Sequence, residues 1–277
     1  MTIGIPIYNN LKDLRGCLES IYRHVTLDVE LVLVDDKSTQ DIRGLALEFA
    51  QKSAGHVKSV VYIRNKKNRG FPHNANIILD QATHDTVCVL NSDTYVCPGA
   101  LERLDAALRA EPQVMIAGPT TSSANSIQQV YEYSKKTRVS EQDIVAQAQS
   151  VEQRFQHEVL ELSQKETNSQ VQGFCFCVKK ETIEKIGYFD EVYGMGTYEE
   201  SDYNARADFL GFKAVWVKKA YVHHYGHASF KGSKAIQLLR HLLKNDKIWL
   251  NKIKHLTPEN VNQVKRVAPE YTWERLK

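Results

Sequence analysis

The sequence predicts an α/β fold: a Rossmann-like, mostly parallel central sheet flanked by helices, with a C-terminal helical extension. Three observations predict it. Apolar runs of strand length alternate with segments whose apolar residues recur at helical spacing through the first 120 residues. Several runs end in polar residues, as strands do at the ligand-binding edge of a parallel sheet. The chain has 277 residues, 42% hydrophobic and 25% charged, enough to bury one large core.

The elements follow in order. Ile3–Tyr8 is an expected strand, followed by Leu11, Leu14, Leu18, Ile21 and Val25 at helical spacing. Glu30–Val34 is a second strand, and Ser38 with Asp41 resembles a capping box opening the next helix. Val57–Ile63 is a third strand, Asn74–Gln81 a helix and Thr86–Leu90 a fourth strand. Pro98 stands where a first-turn proline starts a helix. Ser140 to Ser163 reads as one amphipathic helix, and Val171–Val178 as an apolar strand. Lys180–Ile186 is a short helix stopped by Gly187, and Phe189–Asp202 an acidic loop. Ala214–Val217 and Ala220–His223 read as two strands. Lys231 to Lys254 is helical and basic, with seven Lys and Arg against one Asp. Its Leu239, Leu242, Leu243 and Trp249 make it amphipathic, fit for an anionic acceptor or peripheral contact with a membrane surface. Packing on the core is the commoner use of such a face.

Composition excludes several classes. A formal charge of +3 lacks the basic bias of a dedicated nucleic-acid binder. No apolar run is long enough to span a bilayer, and no basic-then-apolar leader precedes the first strand. The five cysteines, Cys17, Cys88, Cys97, Cys175 and Cys177, include no C-x-x-C and mostly lie in apolar segments. The expectation is a reduced, cytoplasmic chain. There is no G-x-G-x-x-G after the first strand, no phosphate-binding G-x-x-x-x-G-K, and no G-x-S-x-G elbow.

Four polar clusters can carry chemistry. Asp35-Asp36, at a strand end, can accept the imide N–H of a uracil or thymine ring, or complement a helix dipole. Asn91-Ser92-Asp93 can ligate a divalent cation through oxygen, or form a turn. Glu199, Glu200 and Asp202 crowd three carboxylates into four residues, which raises at least one pKa and suits a general base. They equally fit a solvated loop in which Arg206 pairs with Asp202 across one turn. His223-His224-Tyr225-Gly226-His227 offers imidazole ligands, but a strand puts His223 and His224 on opposite faces.

Taken in order, these clusters resemble a family-two glycosyltransferase of the GT-A fold, of the subgroup found in cell-surface polysaccharide and O-antigen assembly. The carriers begin with Ile5-Pro6-Ile7-Tyr8-Asn9, Val34-Asp35-Asp36-Lys37-Ser38-Thr39, Asn68-Arg69-Gly70-Phe71 with Asn76, and Leu90-Asn91-Ser92-Asp93-Thr94. They continue with Gly118-Pro119-Thr120, Gly173–Cys177, Ile186–Glu191, Glu199–Tyr203, Arg206, His223–Gly226 and Ser229-Phe230. The resemblance implies a domain over 1–230, with a nucleotide-binding half (1–119) and an acceptor half (120–230), followed by the basic extension 231–277. It implies that Asp36, with Pro6 and Tyr8, holds the base and ribose of a uridine or thymidine diphosphate sugar. Asn9, Asn68, Asn76, Asn91 and Ser92 would line the donor site, and Arg206 would neutralise phosphate. Asp93 would bind Mn2+ or Mg2+, completed by His224. Glu200 stands at the position of the catalytic base, usually Asp, with Glu199 or Asp202 in reserve. The implied reaction is an inverting transfer to a glycan or lipid-linked acceptor. The competing readings are a non-catalytic nucleotide-sugar-binding module and a sugar nucleotidyltransferase. The second lacks its Gly-rich phosphate loop after the first strand, where Tyr8-Asn9-Asn10 stands.

Overall fold

The computed structural model describes residues 1–52, 55–130, 132, 139–162, 169–226 and 233–277; for 233–238 only the main chain is considered. His227, Ser229-Phe230 and Lys231 lie outside the described residues.

The first half is built as the periodicity dictates. Strands β1 (Thr2–Ile7), β2 (Val29–Asp35), β3 (Val57–Asn65) and β4 (Thr86–Leu90) form a parallel set in the order β3-β2-β1-β4. Side chains alternate across it. Ile3, Ile5, Ile7, Leu31 and Leu33 enter one core layer, while Val32, Val34, Val87 and Val89 enter the other. Helices α1 (Leu11–His24) and α2 (Ile42–Gln51) cover the first face through Leu14, Leu18, Ile42 and Phe49. Helix α3 (Phe71–Gln81) covers the other through Ile77 and Ile78. It approaches so closely that a Cβ on Gly4 would sit 2.1 Å from Ile78 Cγ2. A residue larger than glycine there overpacks the core at a cost of about 1–3 kcal/mol.

Several boundaries differ from the sequence reading. The cap of α2 is Asp41, whose carboxylate accepts from Gly44 N–H; Ser38 instead accepts from Asn9 N–H. Pro98 precedes its helix: α4 (Ala100–Ala110) starts after Gly99, whose φ of 73° is left-handed. The long amphipathic helix ends early. Helix α5 (Glu141–Arg154) opens with a Ser140–Asp143 capping box, and the chain then extends into β7 (Val159–Leu162).

The second half of the sheet is mixed. Strand β8 (Cys175–Lys179) runs antiparallel between β4 and β6 (Val114–Thr120). Strand β9 (Lys213–His224) is one continuous strand where two were expected. It runs parallel to β6 and antiparallel to β7 and to β5 (Thr94–Val96). Helix α6 (Thr182–Lys185) is a single turn, and α7 (Glu199–Phe209) begins at the acidic cluster. After α8 (Ser233–Lys254) the chain returns to the sheet: β10 (Tyr271–Arg275) pairs antiparallel with β3 at its edge. The segment after residue 230 is therefore more than a helical appendage. All five cysteines are buried and free; Cys88, Cys175 and Cys177 fill the core as small apolar groups.

Candidate active site

Two turns beyond strand ends, after β2 and β4, stand with the start of α7. The first follows β2. Asp35 is fully buried and accepts from Ser38 N–H, Tyr62 O–H and Arg64. Asp36 accepts from Asn65 Nδ2 and Arg69 N through Oδ1, and from Gly70 N through Oδ2. Its Oδ2 thus retains a lone pair. Asp36 thereby ties the Asn68–Gly70 turn to the end of β2. Gly70 is required there: with φ of +86° it packs so tightly that a Cβ would lie 2.3 Å from Gly194 O. Asn68 Oδ1 is buried with no partner, which marks it as an acceptor awaiting a donor. Tyr8 is exposed at the end of β1, and Pro6 is half-buried.

The second turn follows β4. Asn91 and Ser92 are half-buried there. Asp93 Oδ1 lies 3.3 Å from His224 Nε2, brought close by the pairing of Thr94 in β5 with His224 in β9. His224 Nδ1 is 2.8 Å from Ser123 O, so it carries the proton and leaves Nε2 toward Asp93 in the neutral ring. The ring is stacked on Phe174 at 5.2 Å. A carboxylate oxygen and an imidazole nitrogen bound at right angles to one divalent ion at ~2.1 Å stand about 3 Å apart, so the pair fits such an ion. Burial lowers the His224 pKa, but the Asp93 carboxylate and the Ser123 carbonyl outweigh it, and the net shift is upward. His223 faces the other side, buried 3.2 Å from Tyr221 Oη, and burial pushes its pKa down to about 4.

The third feature is the start of α7. Thr197 and Tyr198, immediately before the helix, both adopt left-handed backbone. Glu199 is buried and Glu200 half-buried; Oε2 of each is enclosed with no donor from the rest of the described chain, and the two carboxyls lie within hydrogen-bonding reach of one another. Burial pushes both pKa values up; the neighbouring Glu200 charge pushes Glu199 further. Gly173 lies beside Glu200: a Cβ there would be 3.9 Å from Glu200 Cδ and 3.7 Å from the Phe71 ring. The Gly173-Phe174 dipeptide therefore links Glu200 to the ring stacked on His224.

Four expected roles are revised by these contacts. Arg206 meets no solvent-facing ligand. Its guanidinium is 1% exposed and donates to Asp202, Ile186 O and Tyr188 O. Asp202 is no reserve base, because Arg206 holds it at 2.9 Å and Lys252 at 2.6 Å. Asn76 is fully buried, bonded to both backbone groups of Phe189 and to Glu191. Asn9 Oδ1 accepts from Thr39 N, Thr39 Oγ1 and Gln40 N, so it shapes the loop after β2.

Sequence reasoning missed Ser123, Phe174 and the polar face of α8. His241 and Asn245 bond to Gly196 O, Asn245 also to Tyr193 O and Thr197 O, and Asp246 accepts from Tyr198 O–H. The available signal was a lone Asn-Asp pair inside a Leu- and Lys-rich helix.

This arrangement is the GT-A fold of glycosyltransferases. Residues 2–187 match the model of glycosyl transferase family 2, and the chain belongs to that family. The backbone resembles mannosyltransferase PcManGT from Pyrobaculum calidifontis, solved with GDP-Man and Mn2+. That likeness has a TM-score of 0.62 at 18% identity and covers 89% of this chain and 64% of that one. S. aureus TarS 1–349, solved with UDP-GlcNAc, gives 0.57 at 18% identity, covering 94% and 74%. At such identities the likeness establishes the fold. Among curated relatives, the amylovoran biosynthesis glycosyltransferase AmsE of Erwinia amylovora is 26% identical over 120 residues, 42% of this chain and 43% of that protein. The putative glycosyltransferase EpsE of Bacillus subtilis is 30% identical over 118 residues, 43% and 41%. The matches therefore span less than half of these relatives' length.

Proposed function

We propose that the chain is an inverting glycosyltransferase that moves a sugar from a UDP- or dTDP-sugar to a hydroxyl of a glycan or lipid-linked acceptor. The observation that carries this reading is the enclosed Glu200 carboxyl, which has no donor at Oε2 but the neighbouring Glu199 carboxyl, set across Gly173-Phe174 from the Asp93–His224 pair. A buried orphan oxygen costs stability unless a ligand completes it.

In this reading Asp36, Tyr8 and Pro6 hold the base and ribose, with Asn68, Asn91 and Ser92 along the same edge. Asp93 and His224 would hold Mn2+ or Mg2+, which would supply positive charge to offset that of the diphosphate leaving group. Glu200 takes the acceptor hydroxyl proton as that oxygen attacks the anomeric carbon. The bond from that carbon to the phosphate oxygen breaks, and its electron pair leaves with the diphosphate. One base and one displacement invert the anomeric centre. The raised Glu200 pKa brings the base nearer to neutral working pH.

The test is a donor panel. With Mn2+, one nucleotide diphosphate should raise the melting temperature, and its sugar donor should release nucleotide diphosphate only when an acceptor is present. No stabilisation by any nucleotide diphosphate, with or without metal, contradicts the reading.

A further inference from the structure

Helix α8 divides around its axis into three stripes. At about 100° per residue, Leu239, Leu243, Leu250 and Ile253 fall within about 80° of arc. Arg240, Lys244, Lys247 and Lys254 fill the next 80° or so, and His241, Asn245 and Lys252 stand opposite. The opposite stripe is anchored: His241 and Asn245 hold the 193–197 turn, and Lys252 holds Asp190 and Asp202. The other two stripes face solvent. Leu239 is 56% exposed, Leu243 55%, Leu250 49% and Ile253 36%. Arg240, Lys244, Lys247 and Lys254 are exposed beside them. The single acid of the helix, Asp246, falls at the same angle as the leucines, but it is half-buried and its carboxylate is bonded to Tyr198.

We propose that this face of α8 docks on an anionic lipid bilayer, lying flat with its leucines in the headgroup–acyl boundary and its cations on lipid phosphates. Charge decides the occupant. A second copy laid antiparallel on the same face by two-fold symmetry would set basic stripe beside basic stripe, and a parallel copy would leave both basic stripes without a partner. A soluble polyanion would pair with the cations and leave four apolar side chains in water. An anionic bilayer complements both stripes at once. No helix of the described residues is long and apolar enough to cross the bilayer, which agrees with an in-plane pose. Because the opposite stripe holds the turn before Glu199, docking would set the candidate active site close to the membrane surface.

Co-sedimentation of the full chain with vesicles tests this independently of sugar transfer. Binding is expected to vesicles of phosphatidylcholine with phosphatidylglycerol, with little to phosphatidylcholine alone, and to weaken with salt. The triple variant Arg240→Gln, Lys244→Gln, Lys247→Gln should lose about a hundredfold in partition. Leu239→Ser with Leu243→Ser and Leu250→Ser should lose about tenfold or more at unchanged melting temperature. Donor turnover without vesicles should be the same in wild type and variants, so failure of docking and failure of the transferase reading are told apart. No binding, equal binding to neutral vesicles, or a solution dimer that the serine variants dissociate would overturn the proposal.

Discussion

Two acidic turns stand at the site, and the chain treats them in opposite ways. At Asp35-Asp36 every carboxylate oxygen already accepts a bond, from Ser38, Tyr62, Arg64, Asn65, Arg69 or Gly70. At Glu199-Glu200 one oxygen of each carboxyl is buried with no donor except a proton on the other carboxyl. The carboxylates of the first turn are satisfied by the chain itself and position a loop, with one lone pair left on Asp36 Oδ2 for a ligand. The second keeps an energetic cost, about 1–3 kcal/mol per group short of a donor, that a shared proton or a ligand relieves. Such a cost is retained where a ligand or a proton in transit completes the site.

The comparison is broken or sharpened by substitution. Glu200→Gln should reduce transfer by about a thousandfold while nucleotide binding stays within a few-fold, read from turnover and thermal shift. Arg206→Met should cost about 3–5 kcal/mol of unfolding free energy, because Asp202 and two carbonyls lose their donor in the core. A loss of transfer with no stability change would restore Arg206 to the ligand site. Asp93→Ala or His224→Ala should lower metal-dependent nucleotide affinity by about a hundredfold, with metal-free binding little altered. Asp36→Asn should weaken nucleotide binding about tenfold and loosen the Asn68–Gly70 turn, visible as faster amide exchange there.

The smallest effect is on stability against pH. Glu199 has a folded pKa raised by burial, then by Glu200. Below the ordinary carboxyl pKa both folded and unfolded states are protonated, and nothing is lost. Above it the unfolded state ionises first, so stability falls as pH rises toward the folded pKa. Glu199→Gln should therefore raise the melting temperature more at pH 8 than at pH 5. An equal gain at both would place the effect in packing alone.

Much of this was legible in sequence where one physical rule dominated. Strands β1 to β4 were readable because Ile3, Ile5, Ile7 and Leu31–Val34 are apolar enough to be strands buried on both faces. Strand β7 was misread because Val159 and Leu162 continue the helical spacing of Val151 and Phe155, and only pairing with β9 decides the conformation. Strand β10 carries Thr272, Glu274 and Arg275, polar enough for an edge but silent in periodicity. At the site, the Asp202–Arg206 spacing left both a phosphate role and a one-turn ion pair open, and burial chose the pair. Asn9 and Asn76 sit in family motifs, yet their amides hold loops. The apolar positions of α8 split: Leu242 and Trp249 are half-buried, Trp249 against Tyr198, while Leu239 and Leu243 stay exposed, and the polar His241 and Asn245 face inward.

The central claim is that the Glu200 carboxylate is the base. The pH dependence of kcat/KM with matched donor and acceptor tests it directly. The account predicts an acid limb that rises with unit slope through a pKa above the ordinary carboxyl range, and its loss, with most of the rate, in Glu200→Gln. A Glu200→Gln enzyme that keeps both its rate and that limb would contradict it.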